Sequence, residues 1–415
     1  MDILYQQGQK AKNASYKLAR LSILEKTKGL LAVSEALWEK REFILQENQK
    51  DMMNAKQVGI SKALLDRLLL TEKRIFVMTE GIKQVAQLED PVGEIIKMKK
   101  RPNGLQIGQK RVPLGVIGMI YEARPNVTAD AFALCFKAGN AVILKGGKEA
   151  LFSNRAIVQI IQETLLKIGL PEDAVQLIQD TDRKTTLDFM KLHKYVDVLI
   201  PRGGSHLIKT VVENSTIPII ETGVGNCHIY VDEFANCDQG VDIVFNAKTQ
   251  RPGVCNAIET LLVHESIAQP FLSKLIPKLK SYSVEIRGDQ KVKILFPEVK
   301  EANETDWSEE YLDYTLAIKI VSSLEEAMSH IRCYSSGHSE AIITENYSHA
   351  QKFLEEIDAA AVYVNASTRF TDGYEFGFGA EIGISTQKLH ARGPIGLKEL
   401  TTTKYIIYGS GQIRM

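Results

Sequence analysis

The spacing of apolar residues separates a helical first part of the chain from an alternating remainder. Between residues 10 and 90, apolar side chains recur at three- and four-residue intervals, as in Leu30, Val33 and Leu37. This interval is that of an amphipathic helix, whose buried face returns every 3.6 residues. The pattern therefore predicts helices over most of this part, which ends near Pro91.

A β-hairpin is expected directly after the helical part. Two short strand-like runs flank Pro102, Asn103 and Gly104, which are residue types that favour turns. A third strand-like run begins at Thr401, and we expect it to return and pair with this hairpin. Outlying paired strands of this kind commonly build contacts between subunits, so a homo-oligomer is expected.

Between the hairpin and the C-terminal run, short apolar runs alternate with amphipathic ones. Helical stretches such as SNRAIVQIIQETLLKIG separate the strand candidates, and the same style resumes from about Arg251. Strand–helix alternation is typical of parallel α/β sheets, so two α/β domains are predicted. Before Arg251 the strand candidates are LGVIGMIY, NAVILKG, AVQLIQD, VDVLIPR, IPIIETG and CHIYVD.

Composition narrows the class of protein. The chain has 415 residues, and 51 basic residues balance 51 acidic ones, so no global field attracts nucleic acid or an anionic membrane. The N-terminal segment lacks the apolar run of a signal peptide. The five cysteines are dispersed and form no CxxC pair, which argues against a disulfide framework and against a zinc site. We therefore expect no metal, no membrane partner and a cytoplasmic location.

Two turns follow predicted strands and could contact a cofactor. Lys145 ends one strand and is followed by two glycines, and Gly203, Gly204 and Ser205 follow another. Glycine before a helix lets backbone N–H groups approach a phosphate, although glycine in such turns also serves geometry alone. Neither turn completes a P-loop or a GxGxxG fingerprint, so an ordinary dinucleotide motif is not supported.

Three further positions could carry chemistry. Cys255, in RPGVC, precedes a helix or a strand; at a helix N-terminus its thiol would be reactive, whereas most free cysteines are small buried hydrophobes. Glu221 follows the apolar run IPII and is either a general base or a turn carboxylate. Asn126, after Arg124 and Pro125, is either an oxyanion donor or a helix N-cap.

Taken in order, these segments resemble the aldehyde dehydrogenase superfamily over nearly the whole chain. The resemblance implies a nucleophilic Cys255 that forms a thioester, with Asn126 stabilising the oxyanion. It also implies a set of cofactor contacts, namely Lys145, Gly203, Gly204, Ser205, Glu221 and Glu310. The segments that carry it are RPN, LKGGKEA, PRGGS, ETGVG, RPGVC, SEEYLDYTLA, and VYVNAS followed by FGFGAEIG.

The resemblance also implies an organisation in which domains interleave along the chain. The expected fold is α/β, with a Rossmann-type NADPH-binding domain (1–95 and 114–226) and an α/β catalytic domain (227–398). A small β oligomerisation flap (96–113 and 399–415) completes it.

The sequences of three segments resemble those of the branch of the superfamily that acts in proline biosynthesis. These segments are YEARPNVTADAFALCFKAGNAVILKGGKEA, ETGVGNCHIYVD and FTDGYEFGFGAEIGISTQKLHARGPIGLKELTTTKY. This resemblance implies that NADPH reduces L-glutamate 5-phosphate to L-glutamate 5-semialdehyde with release of phosphate, the second step from glutamate to proline. Functional coupling to glutamate 5-kinase is compatible with it.

A substrate that carries a carboxylate and a phosphate requires arginine, whose fork suits both groups. The candidates are Arg124, Arg251, Arg369 and Arg392. Two alternatives stay open: a hydrolytic aldehyde dehydrogenase of the same fold, and a non-catalytic member that acts by binding partners.

Overall fold

The computed structural model describes residues 2–414. By the density of internal contacts the chain divides into two compact units. The first contains residues up to Glu221, together with Phe378–Ile382 and the residues from Ile395 onwards. The second contains Thr222–Gly377 and Gly383–Pro394. Each unit is built around its own parallel sheet.

The helices are α1 (Asp2–Leu18), α2 (Ile23–Glu39), α3 (Arg41–Gln57), α4 (Lys62–Leu68), α5 (Glu72–Gln87), α6 (Asn126–Lys137), α7 (Leu151–Lys167), α8 (Arg183–Phe189), α9 (Ser205–Asn214), α10 (Cys237–Thr249), α11 (Glu265–Lys280), α12 (Gln290–Leu295), α13 (Leu324–Tyr334) and α14 (Tyr347–Glu356).

The strands are β1 (Ile95–Lys100), β2 (Gln106–Pro113), β3 (Val116–Tyr121), β4 (Ala141–Lys145), β5 (Val175–Leu177), β6 (Val198–Arg202), β7 (Cys227–Val231), β8 (Ile258–His264), β9 (Glu285–Gly288), β10 (Lys300–Glu301), β11 (Thr315–Val321), β12 (Ser339–Ile343), β13 (Ala361–Val364), β14 (Ile384–Ser385), β15 (Gly393–Pro394) and β16 (Thr401–Tyr408).

Helices α1 to α5 confirm the prediction for the first part of the chain. Helix α2 shows why its start is well defined: Ser22 caps it, and the Glu25 carboxylate accepts a 2.7 Å hydrogen bond from the Ser22 N–H in return. Such a capping box satisfies two N–H groups that the helix leaves without internal partners. Among the described residues no helix combines the length and the apolar character needed to cross a membrane.

The predicted hairpin and its third strand are confirmed. Strands β1 and β2 pair antiparallel, and β16 pairs antiparallel with the other edge of β2. Gly104 takes the left-handed conformation (φ 88°) that the tight turn requires. The result is a three-stranded sheet in the order β1-β2-β16, and all of β1 is exposed.

The main sheet of the first unit has four parallel strands in the order β5-β4-β3-β6. Strands β3 and β4 are buried along their whole length, which explains why they read as continuous apolar runs. The strand predicted for IPIIETG is wrong, because only Ile219 forms a bridge, to Leu199. Pro218 lacks the N–H that a further ladder bond would need.

The second parallel sheet, which the sequence predicted from about Arg251, has seven strands and begins with β7. Its order is β10-β9-β11-β8-β7-β12-β13, and its neighbours pair in parallel. Helices α10 and α11 bury one face of the sheet, and α13 and α14 bury the other. The central strands β7 and β8 are therefore fully buried.

Candidate active site

In the first unit, the candidate cofactor residues lie at the carboxyl edge of the four-stranded sheet. Strand β4 ends at Lys145, and β6 ends one residue before the glycine turn at Gly203. Because these strands are parallel, their ends lie at one edge. Gly204 is the N-cap of α9, and no side chain caps that helix start. The first N–H groups of α9, beginning at Ser205, can therefore donate to a ligand.

Lys145 is buried, and its ammonium donates to the carbonyl of Gly146 at 3.3 Å. Burial lowers the pKa of Lys145, and the negative charges of Asp180 and Glu149 oppose that shift. Lys148, by contrast, is exposed. The strand end thus offers one enclosed cation with acidic neighbours and one open cation.

Sequence reasoning missed Glu122, which lies at the point where the strand order reverses. Ligands of open α/β sheets bind at such a point, here between β3 and β6. A Cβ on Gly203 would lie 2.6 Å from Cδ of Glu122, so a larger residue there would have to displace this side chain. A carboxylate in this position accepts hydrogen bonds from sugar hydroxyls and repels phosphate. The signal in the sequence was the polar residue that directly follows the buried strand β3.

Asn126 is the first residue of α6, and Pro125 is the N-cap, so the interpretation of Asn126 as a capping residue is wrong. Its amide donates a 2.9 Å hydrogen bond to Oδ2 of Asp130, which fixes the orientation of the side chain. Burial raises the pKa of Asp130 to about 6, against the effects of the Asn126 hydrogen bond and of Arg202. The other candidates on this unit, Arg124 and Glu221, are half-buried.

In the second unit, Cys255 is half-buried in a turn between α10 and β8. A strand follows it, so of the two possibilities left by the sequence the helix start is wrong. A helix N-terminus therefore does not activate this thiol, and activation would have to come from neighbouring charges and backbone groups.

Gly225 and Glu310 hold this turn. A Cβ on Gly225 would lie only 1.7 Å from the carbonyl oxygen of Cys255, so the two backbone segments pack in direct contact. The N–H of Gly225 donates to the Glu310 carboxylate at 2.7 Å. Burial raises the pKa of Glu310, and the Gly225 hydrogen bond and His338 oppose that shift. Glu310 thus supports the segment that contacts the turn of Cys255.

Cys227 lies behind the turn and is fully buried. Its thiol donates to the Cys255 carbonyl at 3.1 Å, and burial raises its pKa. A thiol in this state is a poor nucleophile. His338, which sequence reasoning missed, lies 3.7 Å from the same sulfur. Nothing in the local sequence distinguishes it, because 111 residues separate it from Cys227.

Two of the candidate arginines share the electrostatic environment of Cys255. Burial lowers the pKa of Arg369, the charge of Arg251 lowers it further, and Cys255 is among the groups that oppose the shift. The guanidinium of Arg369 donates to Gln250 at 2.8 Å and also to the Asn256 side chain. Its neighbours on both sides of Cys255 therefore orient it.

Arg392 is held differently, because its guanidinium pairs with the Asp358 carboxylate at 2.7 Å. Lys388 pairs with the same carboxylate. Among the residues that the structure describes, no group of three or more His, Cys, Asp or Glu side chains is arranged to hold a metal ion.

The chain is similar in sequence to a known family of proteins. Residues 6–295 match the sequence model of the aldehyde dehydrogenase family, and the chain belongs to this family. Its members use a nicotinamide cofactor. An acetylating aldehyde dehydrogenase from Geobacillus thermoglucosidasius shares the fold, with a TM-score of 0.71 at 19% identity over 100% of this chain and 98% of that one.

More similar relatives narrow the comparison. The chain is 60% identical over 414 residues to the gamma-glutamyl phosphate reductase of Clostridium botulinum (strain Eklund 17B / Type B), covering 100% of both chains. It is also 60% identical over 418 residues to the enzyme of that name from Caldicellulosiruptor bescii, again over 100% of both. The crystal structure of gamma-glutamyl phosphate reductase from Thermotoga maritima matches with a TM-score of 0.97 at 50% identity, covering 99% of this chain and 100% of that one.

Proposed function

We propose that this chain reduces L-glutamate 5-phosphate to L-glutamate 5-semialdehyde with NADPH and releases phosphate, the second step of proline biosynthesis from glutamate. Full-length relatives at about 60% identity that are named gamma-glutamyl phosphate reductase support the reaction. The observation that carries the proposal is the turn of Cys255, a half-buried thiol in the electrostatic environment of two arginines.

The chemistry assigned to Cys255 begins with attack of its thiolate on the γ-acyl carbon. The C–O bond to phosphate breaks, phosphate leaves with the electron pair, and a thioester remains on Cys255. A nicotinamide cofactor held by the first unit would supply the hydride that reduces this thioester to a thiohemiacetal. Collapse of that adduct releases the aldehyde and restores the thiol. We assign the Asn126 amide and the Cys255 N–H to the oxyanion, in keeping with the family.

Arg251 and Arg369 form the proposed binding site for the phosphoryl group of the substrate. An arginine fork donates to two oxygens of a phosphate at once, and Arg369 is already oriented by Gln250. A phosphate dianion also offsets the repulsion between these two cations. Of the other two candidates, Arg124 is the proposed contact for the substrate carboxylate, because Arg392 would first have to exchange its bond to Asp358.

The residues at the carboxyl edge of the first unit fit a dinucleotide. The first N–H groups of α9 have no side-chain cap, and Gly203 lies against the Glu122 side chain. We assign Lys145, Gly203, Gly204, Ser205, Glu221 and Glu310 to cofactor binding. The choice of NADPH rests on Lys148, whose exposed cation suits a 2′-phosphate.

The proposal extends to the domain organisation of the chain and to its assembly. We assign cofactor binding to 1–95 and 114–226, catalysis to 227–398, and oligomerisation to 96–113 and 399–415. The exposed apolar side chains of β16, namely Tyr405, Ile407 and Tyr408, support a homo-oligomer.

A reactive Cys255 thiolate requires a reducing compartment, so we propose that the protein is located in the cytoplasm. Coupling to glutamate 5-kinase would shorten the path of a reactive acyl phosphate.

The hydrolytic alternative requires a base that activates water instead of a binding site for phosphate. The arginines near Cys255 favour binding of phosphate.

To test the proposal, NADPH consumption is followed with L-glutamate 5-phosphate generated in situ from L-glutamate and ATP. Cys255→Ala should lose activity and keep cofactor binding, because no other group forms the covalent intermediate. Cys333→Ala, at an exposed thiol, is the matched control. Turnover by pure Cys255→Ala enzyme would end the mechanism.

A further inference from the structure

A fully buried ion pair lies next to the nucleophile turn. Nζ of Lys248 is 2.5 Å from Oε2 of Glu259, and both side chains are completely shielded from solvent. The same ammonium donates to the carbonyl of Ile258 at 3.0 Å. Nothing in the chemistry proposed above uses either residue.

The two partners bracket the nucleophile in sequence. Lys248 lies in the last turn of α10, and Glu259 is the second residue of β8. The segment between them, residues 249–258, contains Cys255. The ion pair therefore joins the two ends of the segment that carries the proposed nucleophile.

The second oxygen of the same carboxylate holds another segment. Oε1 of Glu259 accepts a 3.1 Å hydrogen bond from the N–H of Leu312. Leu312 has a φ of 52°, in the left-handed region that leucine rarely adopts, so its backbone needs an external partner to stay there. Leu312 is two residues beyond Glu310, and its carbonyl oxygen would lie 3.5 Å from a Cβ on Gly253.

Stability alone does not explain a pair in this position. Burial lowers the pKa of Lys248 and raises that of Glu259 to about 7, so the surroundings penalise both charges. Replacing a buried ion pair by apolar side chains of similar volume is often neutral or stabilising. What apolar side chains cannot supply is a directed bond to Leu312 and to the Ile258 carbonyl.

We infer that Lys248 and Glu259 are positioning residues: their buried ion pair fixes the Cys255 segment and the Glu310 segment in one mutual geometry. The inference rests on the proposed role of Cys255 as nucleophile and adds the device that holds it. Loss of the device should lower the reactivity of Cys255 and weaken cofactor binding without unfolding the chain.

Two double variants separate positioning from stability. Lys248→Met with Glu259→Leu keeps the volume and removes the directed bonds, whereas Lys248→Gln with Glu259→Gln removes the charges and keeps amide donors and acceptors. Alkylation of Cys255 by iodoacetamide, read on its peptide by mass spectrometry, needs neither substrate nor cofactor. Steady-state kcat and the KM for NADPH complete the measurements.

The apolar pair should fold with a Tm close to that of the parent, yet alkylate Cys255 about tenfold or more slowly, with lower kcat and higher KM for NADPH. The amide pair should recover most of the loss. Lys278→Gln with Asp242→Asn removes an exposed pair anchored on the same helix α10 and should change nothing.

An apolar pair that folds and alkylates at the parental rate overturns the inference. An apolar pair that does not fold makes the ion pair a stability element, which overturns it as well. Equal losses in the apolar and amide pairs would also refute a role based on directed bonds. Because alkylation is independent of turnover, a failure of this inference is distinguishable from a failure of the proposed function, which activity in Cys255→Ala would reveal.

Discussion

Arg369 and Arg392 are both candidate substrate-binding residues, and their hydrogen-bond and ion-pair partners distinguish them. The hydrogen-bond partners of Arg369, Gln250 and Asn256, are neutral, although the charge of Asp372 also acts on the guanidinium. Arg392 is bound directly to the Asp358 carboxylate, which Lys388 shares. A cation held by neutral partners attracts a phosphate more strongly than one held by a carboxylate.

Arg369→Gln should therefore raise the KM for L-glutamate 5-phosphate by about tenfold or more, since a hydrogen bond to a charged group contributes roughly 1.5–3 kcal/mol. Arg392→Gln should change it by less than about threefold, because an exposed ion pair contributes little. Initial rates over a range of substrate concentration measure both. The assignment is wrong if Arg392→Gln has the larger effect.

Lys148 provides a test of cofactor choice. Lys145 is buried among acidic neighbours, so the exposed ammonium of Lys148 is the better partner for a 2′-phosphate. Lys148→Gln should lower kcat/KM for NADPH by about tenfold and leave NADH unchanged. Lys404→Gln, on β16, is a control that should affect neither cofactor. Equal losses with both cofactors would remove Lys148 from this role.

At the scale of single residues, the sequence pointed to Cys255 because a proline and a glycine precede it and because it matches a family motif. It did not point to Lys248 and Glu259, since each looks like an ordinary charged residue until the fold buries both. Glu122 was missed for a similar reason: its importance depends on which strand, β6, is placed beside β3.

At the scale of elements, the nucleophile turn depends on the backbone of the segment that precedes β7. Gly225 contacts the Cys255 carbonyl so closely that any side chain must displace one of the two segments. The hydrogen bond from Gly225 to Glu310 would be disturbed by the same displacement. The geometry of the turn is thus set by three segments together.

Gly225→Ala should lower kcat by about a hundredfold, because displacements near 1 Å at a reacting group have effects of that size. It should also lower the stability by about 1–3 kcal/mol through overpacking. Gly81→Ala, in the interior of α5 with open space around its Cβ, should instead stabilise by about 0.5–1 kcal/mol. Urea unfolding and initial rates measure both variants. Parental activity in Gly225→Ala would contradict the close contact.

Elements were predictable where burial is continuous. Strands β3, β4, β6 and β7 lie inside parallel sheets and so read as apolar runs bounded by turns. The run IPII has the same composition, but Pro218 and a single bridge at Ile219 keep it out of the sheet. The element after Cys255 was ambiguous because a short apolar run fits a strand and a helix equally well.

At the scale of the whole molecule, the order of motifs along the chain predicted the fold class, whereas the balance of charge did not point to a ligand. The net charge is zero, yet Arg369 interacts electrostatically with both Arg251 and Cys255. Local arrangement therefore matters more here than the overall field. The same arrangement decides what accepts the acyl group when the reaction runs in reverse.

In reverse, the enzyme oxidises L-glutamate 5-semialdehyde and forms the same thioester on Cys255. A hydrolytic enzyme cleaves that thioester with water and needs no added anion. By microscopic reversibility, the forward leaving group must be the reverse nucleophile, so here the acceptor should be phosphate. Arg251 and Arg369 would bind it beside the thioester.

Steady reduction of NADP⁺ by the semialdehyde should therefore require inorganic phosphate, and without it no more than a single turnover per active site should appear. Arsenate, which has the same charge and shape, should replace phosphate, whereas chloride at equal ionic strength should not. Arg369→Gln should raise the phosphate concentration needed for half-maximal rate, because it removes one of the two cations. Stopped-flow absorbance separates the burst from the steady phase. If turnover in phosphate-free buffer equals that in phosphate, water is the acceptor, and the arginines near Cys255 serve the ground state of the substrate only.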